Sequence, residues 1–167
     1  MADLDKLVVA LNQAATNLIA DLRSKKLTVG FAESCSGGLL SATISAFPGV
    51  SDLFLGSIVS YAYQAKVDLL GVSWDTLKAE GAVSQKVAEQ MALGARERLK
   101  SDWSVAITGI AGPSGGTADK PVGTVWFAVR GPNLDLSEKK IFSGDRVQVQ
   151  QQSAVFAMDL LRKSLQK

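Results

Sequence analysis

The chain has 167 residues, 47% of them apolar and 20% charged, which suits one domain with a real core and excludes disordered and collagen-like chains. It holds no histidine and a single cysteine, so Ser-His-Asp triads, Cys-His dyads, imidazole or thiolate zinc sites and disulfide frameworks are all excluded. The formal charge of +2, with Lys and Arg scattered along the chain, calls for no polyanion partner.

Asp3, Asp5 and Lys6 precede a helical pattern rather than a basic-then-apolar leader, so no secretory signal is expected. The longest uncharged stretch, Ser34 to Ser51, is interrupted by glycine, proline and hydroxyl residues, which disqualifies it as a membrane span. The expectation is a cytoplasmic protein away from membranes. Leu4, Leu7, Val8, Leu11, Ala15, Leu18, Ile19 and Leu22 recur at helical spacing, predicting an amphipathic helix over residues 3–25. Leu27 to Ala32 reads as a buried strand. Glu33-Ser-Cys-Ser-Gly-Gly then turns into a helix over Leu39 to Phe47, ended by Pro48-Gly49.

Phe54 to Tyr61 is rich in β-branched and aromatic residues and predicts a second strand. Short helices follow at 65–70 and 74–80. Ser84 caps a longer one to Leu99, with Val87, Met91, Ala95 and Leu99 as its stripe. Trp103 to Ile107 is a third strand. Val122–Val129 and Ser137–Phe142 predict a hairpin across Gly131-Pro132-Asn133, and a last helix spans Asp145 to Leu165. Parallel crossovers early and adjacent strands late predict one three-layer α/β/α domain over residues 1–167, with a mixed, mostly parallel sheet.

Ligands of open α/β sheets bind beyond the strand C-termini, so the segments just past the predicted strands are the candidates for chemistry. Ser34 stands in a strand-to-helix turn beside the N–H groups of Ser36, Gly37 and Gly38, which suits an alkoxide, an oxyanion or a phosphate. Taken alone, such a serine also reads as an N-cap, and Ser36 is a rival nucleophile. Without histidine the base for a serine is a lysine of depressed pKa. Lys66, between an apolar strand and Val67, Leu69 and Leu70, has the best-placed stem; a snorkelling surface lysine fits the same spacing. Literal Ser-x-x-Lys matches at Ser137–Lys140 and Ser164–Lys167 lie in polar segments and are discounted.

The loop Thr108 to Lys120 matches neither a P-loop nor a dinucleotide fingerprint, yet its glycines, Gly112 among them, allow close backbone approach to a ligand. Lys120 and Arg146 are candidate phosphate cations, one a point charge and the other a fork. A flexible surface loop is the plain alternative.

The strings Ala32–Gly38 (AESCSGG), Tyr61–Lys66 (YAYQAK), Gly81–Ser84 (GAVS), Thr108–Gly116 (TGIAGPSGG), Lys120–Trp126 (KPVGTVW) and Ser143–Arg146 (SGDR) follow in the order of the CinA C-terminal domain family. The chain resembles that family from about Leu4 to Leu165, and within it looks like the stand-alone nicotinamide-nucleotide amidases. The resemblance implies hydrolysis of the carboxamide of nicotinamide mononucleotide to nicotinic acid mononucleotide and ammonia, in pyridine nucleotide salvage. It puts the nucleophile on Ser34 and the base on Lys66, gives Tyr61, Thr108 and Arg146 substrate-binding roles, and implies a homodimer with no metal or cofactor. Tyr63 and Gln64 depart from the Ser-Asn-Glu common in the family at positions 62–64, beside Lys66. Two rival classes remain: a catalytically silent nucleotide-binding module, and a competence- or DNA-damage-associated accessory protein. The near-neutral charge argues against a nucleic-acid partner.

Overall fold

The computed structural model describes Ala2–Lys167, with side chains from Asp5 onward. Met1 and the side chain of Leu4, the latter assigned above to the first apolar stripe, lie outside the described residues. Eleven elements follow one another: α1 (Ala2–Lys25), β1 (Val29–Glu33), α2 (Leu39–Ser45), β2 (Phe54–Val59), α3 (Tyr63–Leu70), α4 (Trp74–Glu80), α5 (Gln85–Leu99), β3 (Trp103–Gly109), β4 (Thr124–Arg130), β5 (Asp135–Ile141) and α6 (Arg146–Ser164).

The strands form one sheet in the order β2-β1-β3-β4-β5. β1 pairs parallel with both β2 and β3, while β4 is antiparallel to β3 and to β5. Four of the five strands therefore run the same way, and only β4 is reversed. Helices cover both faces, as the alternation of strands and helices predicts.

The two faces differ in side-chain size, and this sets how closely the helices approach. Phe31, Val105 and Val129 share one register row and face the larger core, built with Leu18 and Leu22 of α1, Leu40 of α2 and Met158 and Leu161 of α6. The next row, Ala32, Ala106 and Ala128, faces the other way and lets α5 lie low on the sheet through Val87, Met91 and Ala95. Gly94 of α5 serves the same close approach: a Cβ there would stand 1.9 Å from the main-chain oxygen of Leu70 at the end of α3. Val8 departs from the expected stripe, being 46% exposed; the helix buries its face from Leu11 on.

Element ends shift for identifiable reasons. β1 extends through Glu33, because its carboxylate is satisfied inside the protein. β2 stops at Val59 rather than Tyr61, because the carbonyls of Ser60 and Tyr61 turn out of the ladder toward Lys66. α3 begins at Tyr63, which places Lys66 at the end of its first turn.

The chain leaves β1 over one face through α2 and leaves β2 over the other through α3–α5. The C-terminal ends of β1 and β3 thus border the crevice where the winding direction changes, the usual ligand position of such sheets.

Candidate active site

The chemistry begins where β1 ends. Glu33 is fully buried, and its carboxylate accepts from Ser36 Oγ (2.9 Å), Leu40 N (3.0 Å), Ser41 N (2.9 Å) and Ser57 Oγ (3.0 Å). An internal anion thereby satisfies the start of α2. Gly37 and Gly38, at φ of 65° and 97°, make the left-handed turn that brings the chain back over that carboxylate. Ser34 sits between this anchor and β3, its own N–H donating to Ile107 O at 3.0 Å. Its position is fixed from both sides.

Lys66 reaches Ser34 from α3. Nζ donates to Ser60 O at 2.6 Å and Tyr61 O at 3.4 Å, and lies 2.8 Å from Ser34 Oγ. The side chain is 1% exposed, more buried than the snorkelling alternative allows, and no carboxylate pairs with it. Burial without an anion lowers its pKa from the ordinary 10.5 to about 8. In the neutral amine two N–H bonds serve the two carbonyls and the lone pair is left to accept the Ser34 proton. In the ammonium form three N–H bonds meet three oxygens. The site accepts both protonation states without rearranging.

The neighbouring rivals sit in different surroundings. Burial pushes the Cys35 thiol up to about 12, so it stays protonated near neutral pH. Ser36 is committed to Glu33, with no amine beside it. Ser137 donates to Glu89 and Ser164 to Leu160 O, so the two discounted Ser-x-x-Lys matches are structural residues.

A cavity of about 310 Å³ opens over the pair, with Tyr61, Thr108, Gly112 and Arg146 in its wall. Arg146 opens α6, behind an Asp145–Gln148 capping box. Its guanidinium donates to Gly112 O at 2.8 Å and Tyr61 OH at 2.7 Å, both uncharged oxygens. The cation is held across the cavity mouth with its charge uncompensated by these partners. Thr108 Oγ1 donates to Ala82 O at 2.8 Å, which leaves the hydroxyl only its acceptor capacity toward a ligand.

The other expected binding residues are placed elsewhere. Ser36, Gly37 and Gly38 do not line this cavity, because Glu33 already occupies the helix start they were expected to offer to a phosphate. Lys120 is turned away from it: Nζ donates to Glu80 O at 2.7 Å and lines a neighbouring cavity. Sequence reasoning also missed Glu33, an acid at the end of an apolar strand and ahead of two glycines. Its signal was the improbability of ending a central strand on a charge without a partner.

Among the described residues no group of three or more His, Cys, Asp or Glu side chains could hold a metal ion, and no helix is long and apolar enough to cross a membrane.

The switch-point crevice of this α/β domain thus holds a serine hydrogen-bonded to a buried lysine. The family model for the CinA C-terminal domain matches residues 11–165, and the chain belongs to that family. A CinA-like protein of Prochlorococcus marinus (strain MIT 9515) is 49% identical over 148 residues, and one of Fervidobacterium nodosum 49% over 140. These alignments cover 87% and 84% of this chain and 34% of each relative, so the chain spans about a third of the length of the curated relatives it matches. The crystal structure of the competence/damage-inducible protein CihA from Agrobacterium tumefaciens superposes with a TM-score of 0.91 at 36% identity, covering 95% of this chain and 96% of that one. A CinA-superfamily protein from Escherichia coli gives 0.83 at 37% identity, covering 98% and 93%.

Proposed function

We propose that this chain is a serine-lysine amidohydrolase that deamidates nicotinamide mononucleotide, yielding nicotinic acid mononucleotide and ammonia for pyridine nucleotide salvage. The observation that carries the reading is the buried, acid-free Lys66 amine 2.8 Å from Ser34 Oγ. Family membership supports it, and the cavity has room for a mononucleotide.

In this mechanism neutral Lys66 takes the Ser34 proton as Oγ attacks the carboxamide carbon. Charge on the resulting oxyanion is offset by the Lys66 ammonium that the proton transfer leaves beside it. Lys66 then passes its proton to the leaving nitrogen, the C–N bond breaks, and ammonia departs from an acyl-Ser34 ester. Water, deprotonated by Lys66, cleaves that ester and releases the acid; the same proton returns to Ser34. No metal or cofactor enters any step. The phosphate of the substrate pairs with Arg146, and remote binding energy at that end holds the small amide against the nucleophile. The enzyme acts as a cytoplasmic homodimer in this reading.

Ammonia release from nicotinamide, its riboside, its mononucleotide and NAD is the direct test. The mononucleotide is expected to be turned over, with the riboside and free nicotinamide down by several powers of ten in kcat/KM. Arg146→Ala should erase most of that preference, and Arg146→Lys should restore part of it, since a point charge lacks the fork. Saturable binding of the mononucleotide without ammonia from any substrate would make the chain a silent nucleotide-binding module instead.

A further inference from the structure

Tyr63 and Gln64 are departures from the family pattern beside Lys66, and the serine-lysine chemistry uses neither. Gln64 is engaged locally: Nε2 donates to Asp68 Oδ1 at 2.8 Å, one turn on along the exposed side of α3. Tyr63 reaches out of its helix. Its hydroxyl accepts from the N–H of Ala82 at 3.3 Å, in the connection between α4 and α5.

Ala82 and Val83 form part of the wall of the catalytic cavity, with Ile110 and Ala111 beyond the end of β3. These side chains are apolar, so that part of the wall offers contact to the flat ring of a substrate, while Arg146 takes the charged end at the mouth. Apolar side chains do not fix their own backbone; hydrogen bonds do. Ser84 Oγ donates to Gly81 O at 3.1 Å and caps α5. Thr108 Oγ1 donates to Ala82 O at 2.8 Å from β3, and the Tyr63 hydroxyl takes the Ala82 N–H from α3. Of these three ties, only the one from Tyr63 joins the wall to the helix that carries the base. Tyr63 and Lys66 stand at i and i+3 of α3, hence on one side of it. Tyr63 is 45% exposed, so water can replace its hydroxyl at Ala82 and the fold survives the loss of that oxygen.

We propose that Tyr63 is a positioning residue that sets substrate specificity: it holds the Ala82–Val83 wall at a fixed spacing from Lys66, so that an aromatic ring lying on the wall presents its carboxamide to Ser34. The inference deepens the amidase reading and takes the identity of the ring from it.

The test is calorimetry of nicotinamide mononucleotide and of ribose 5-phosphate on the Ser34→Ala protein with and without Tyr63→Phe. Ammonia release by the Tyr63→Phe single variant accompanies it. Tyr63→Phe is expected to weaken the mononucleotide about fivefold and to leave ribose 5-phosphate, which has no ring, within about twofold. In the active protein KM should rise about fivefold with kcat within about twofold, because ground and transition states share the ring contact. The rate profile should keep its midpoint near 8, since the partners of the Lys66 amine are untouched. Mononucleotide binding undiminished by Tyr63→Phe would overturn the proposal. Equal weakening of ribose 5-phosphate, a fall in kcat with a displaced midpoint, or a melting temperature lower by more than about 3 °C would each make Tyr63 a general support of α3 and overturn it too. Weakened mononucleotide binding in a protein whose parent releases no ammonia would uphold the wall and sink the amidase reading alone, whereas a parent that binds no mononucleotide would overturn both.

Discussion

Lys66 shows how a single environment brings an amine's pKa toward neutrality. Its partners are two carbonyls and a hydroxyl, so burial is compensated in hydrogen bonds but not in charge, and the amine is held to a pKa of about 8. About a tenth is then neutral at pH 7, and turnover should rise with pH through 8 and level above it; a flat rate profile from pH 6 to 10 would contradict a lysine base. The same depression acts on stability. Between the folded value near 8 and the unfolded value near 10.5 the unfolded chain holds more protons, so stability rises with pH across that window, and below it the full penalty is present. Lys66→Met removes a penalty on the order of 3 kcal/mol, offset by the Ser60 and Tyr61 carbonyls it strands. Its stability advantage over the parent should therefore shrink as pH climbs from 8 to 10.5; chemical denaturation at several pH values measures this, and a pH-independent difference would refute the depressed amine. On activity, Ser34→Ala and Lys66→Ala should each lower kcat by about a thousandfold or more, with the double variant little worse, since the pair acts as one unit. Cys35→Ala should be mild. An inactive Cys35→Ala protein would move the nucleophile.

The elements hold these residues by unlike means. β1 ends on an acid that caps α2 from within, so strand and helix are locked to each other and Ser34 is fixed between them. α6 delivers Arg146 at its first position, and Gln150, one turn on, donates to Cys35 O at 2.8 Å, tying the same helix to the nucleophile turn. α3 delivers Lys66 and is held against α5 at the Leu70–Gly94 contact. Gly94→Ala tests that element. Alanine gains about 1 kcal/mol of helix propensity, yet its Cβ would collide with the Leu70 carbonyl, an overpacking that costs roughly 1–3 kcal/mol or more. A net loss in urea denaturation is expected, with lowered turnover, because any retreat of α3 carries Lys66 with it. An unchanged or raised midpoint would show that α3 and α5 have slack at this contact.

At the scale of the whole molecule the site is a product of sheet topology. Residues 34, 61 and 66 follow the ends of β1 and β2, residue 108 lies in the last two residues of the parallel strand β3, and residue 146 follows β5, which runs the same way, so chain segments more than a hundred residues apart meet at one edge. The surface is electrically unremarkable at this scale. Cations are neutralised locally, as in Arg162–Asp21 and Lys86–Glu80, and the formal charge is +2. Duplex DNA should not be retained in a gel-shift experiment at about 0.15 M salt, because no run of cations is present to release counterions. Retention with a steep salt dependence would revive an accessory role on nucleic acid.

The sequence by itself determined the elements, since periodicity of two and 3.6 and the Gly, Pro and Ser punctuation are local signals. It also determined the serine and lysine as candidates, because the absence of histidine left few other bases for a nucleophile. It did not determine their partners. Lys120 and Arg146 read alike as cations near glycine-rich turns, and only packing turned one onto Glu80 O in a second cavity and the other across the first. Likewise the Ser36–Gly38 turn has the composition of an anion cradle, and whether that cradle is open depends on Glu33, whose side-chain direction follows from strand register rather than from any local pattern. Chemistry at a single position is written in residue type; which neighbour completes it is a through-space fact, fixed only when the sheet aligns distant segments and burial decides which charges face one another.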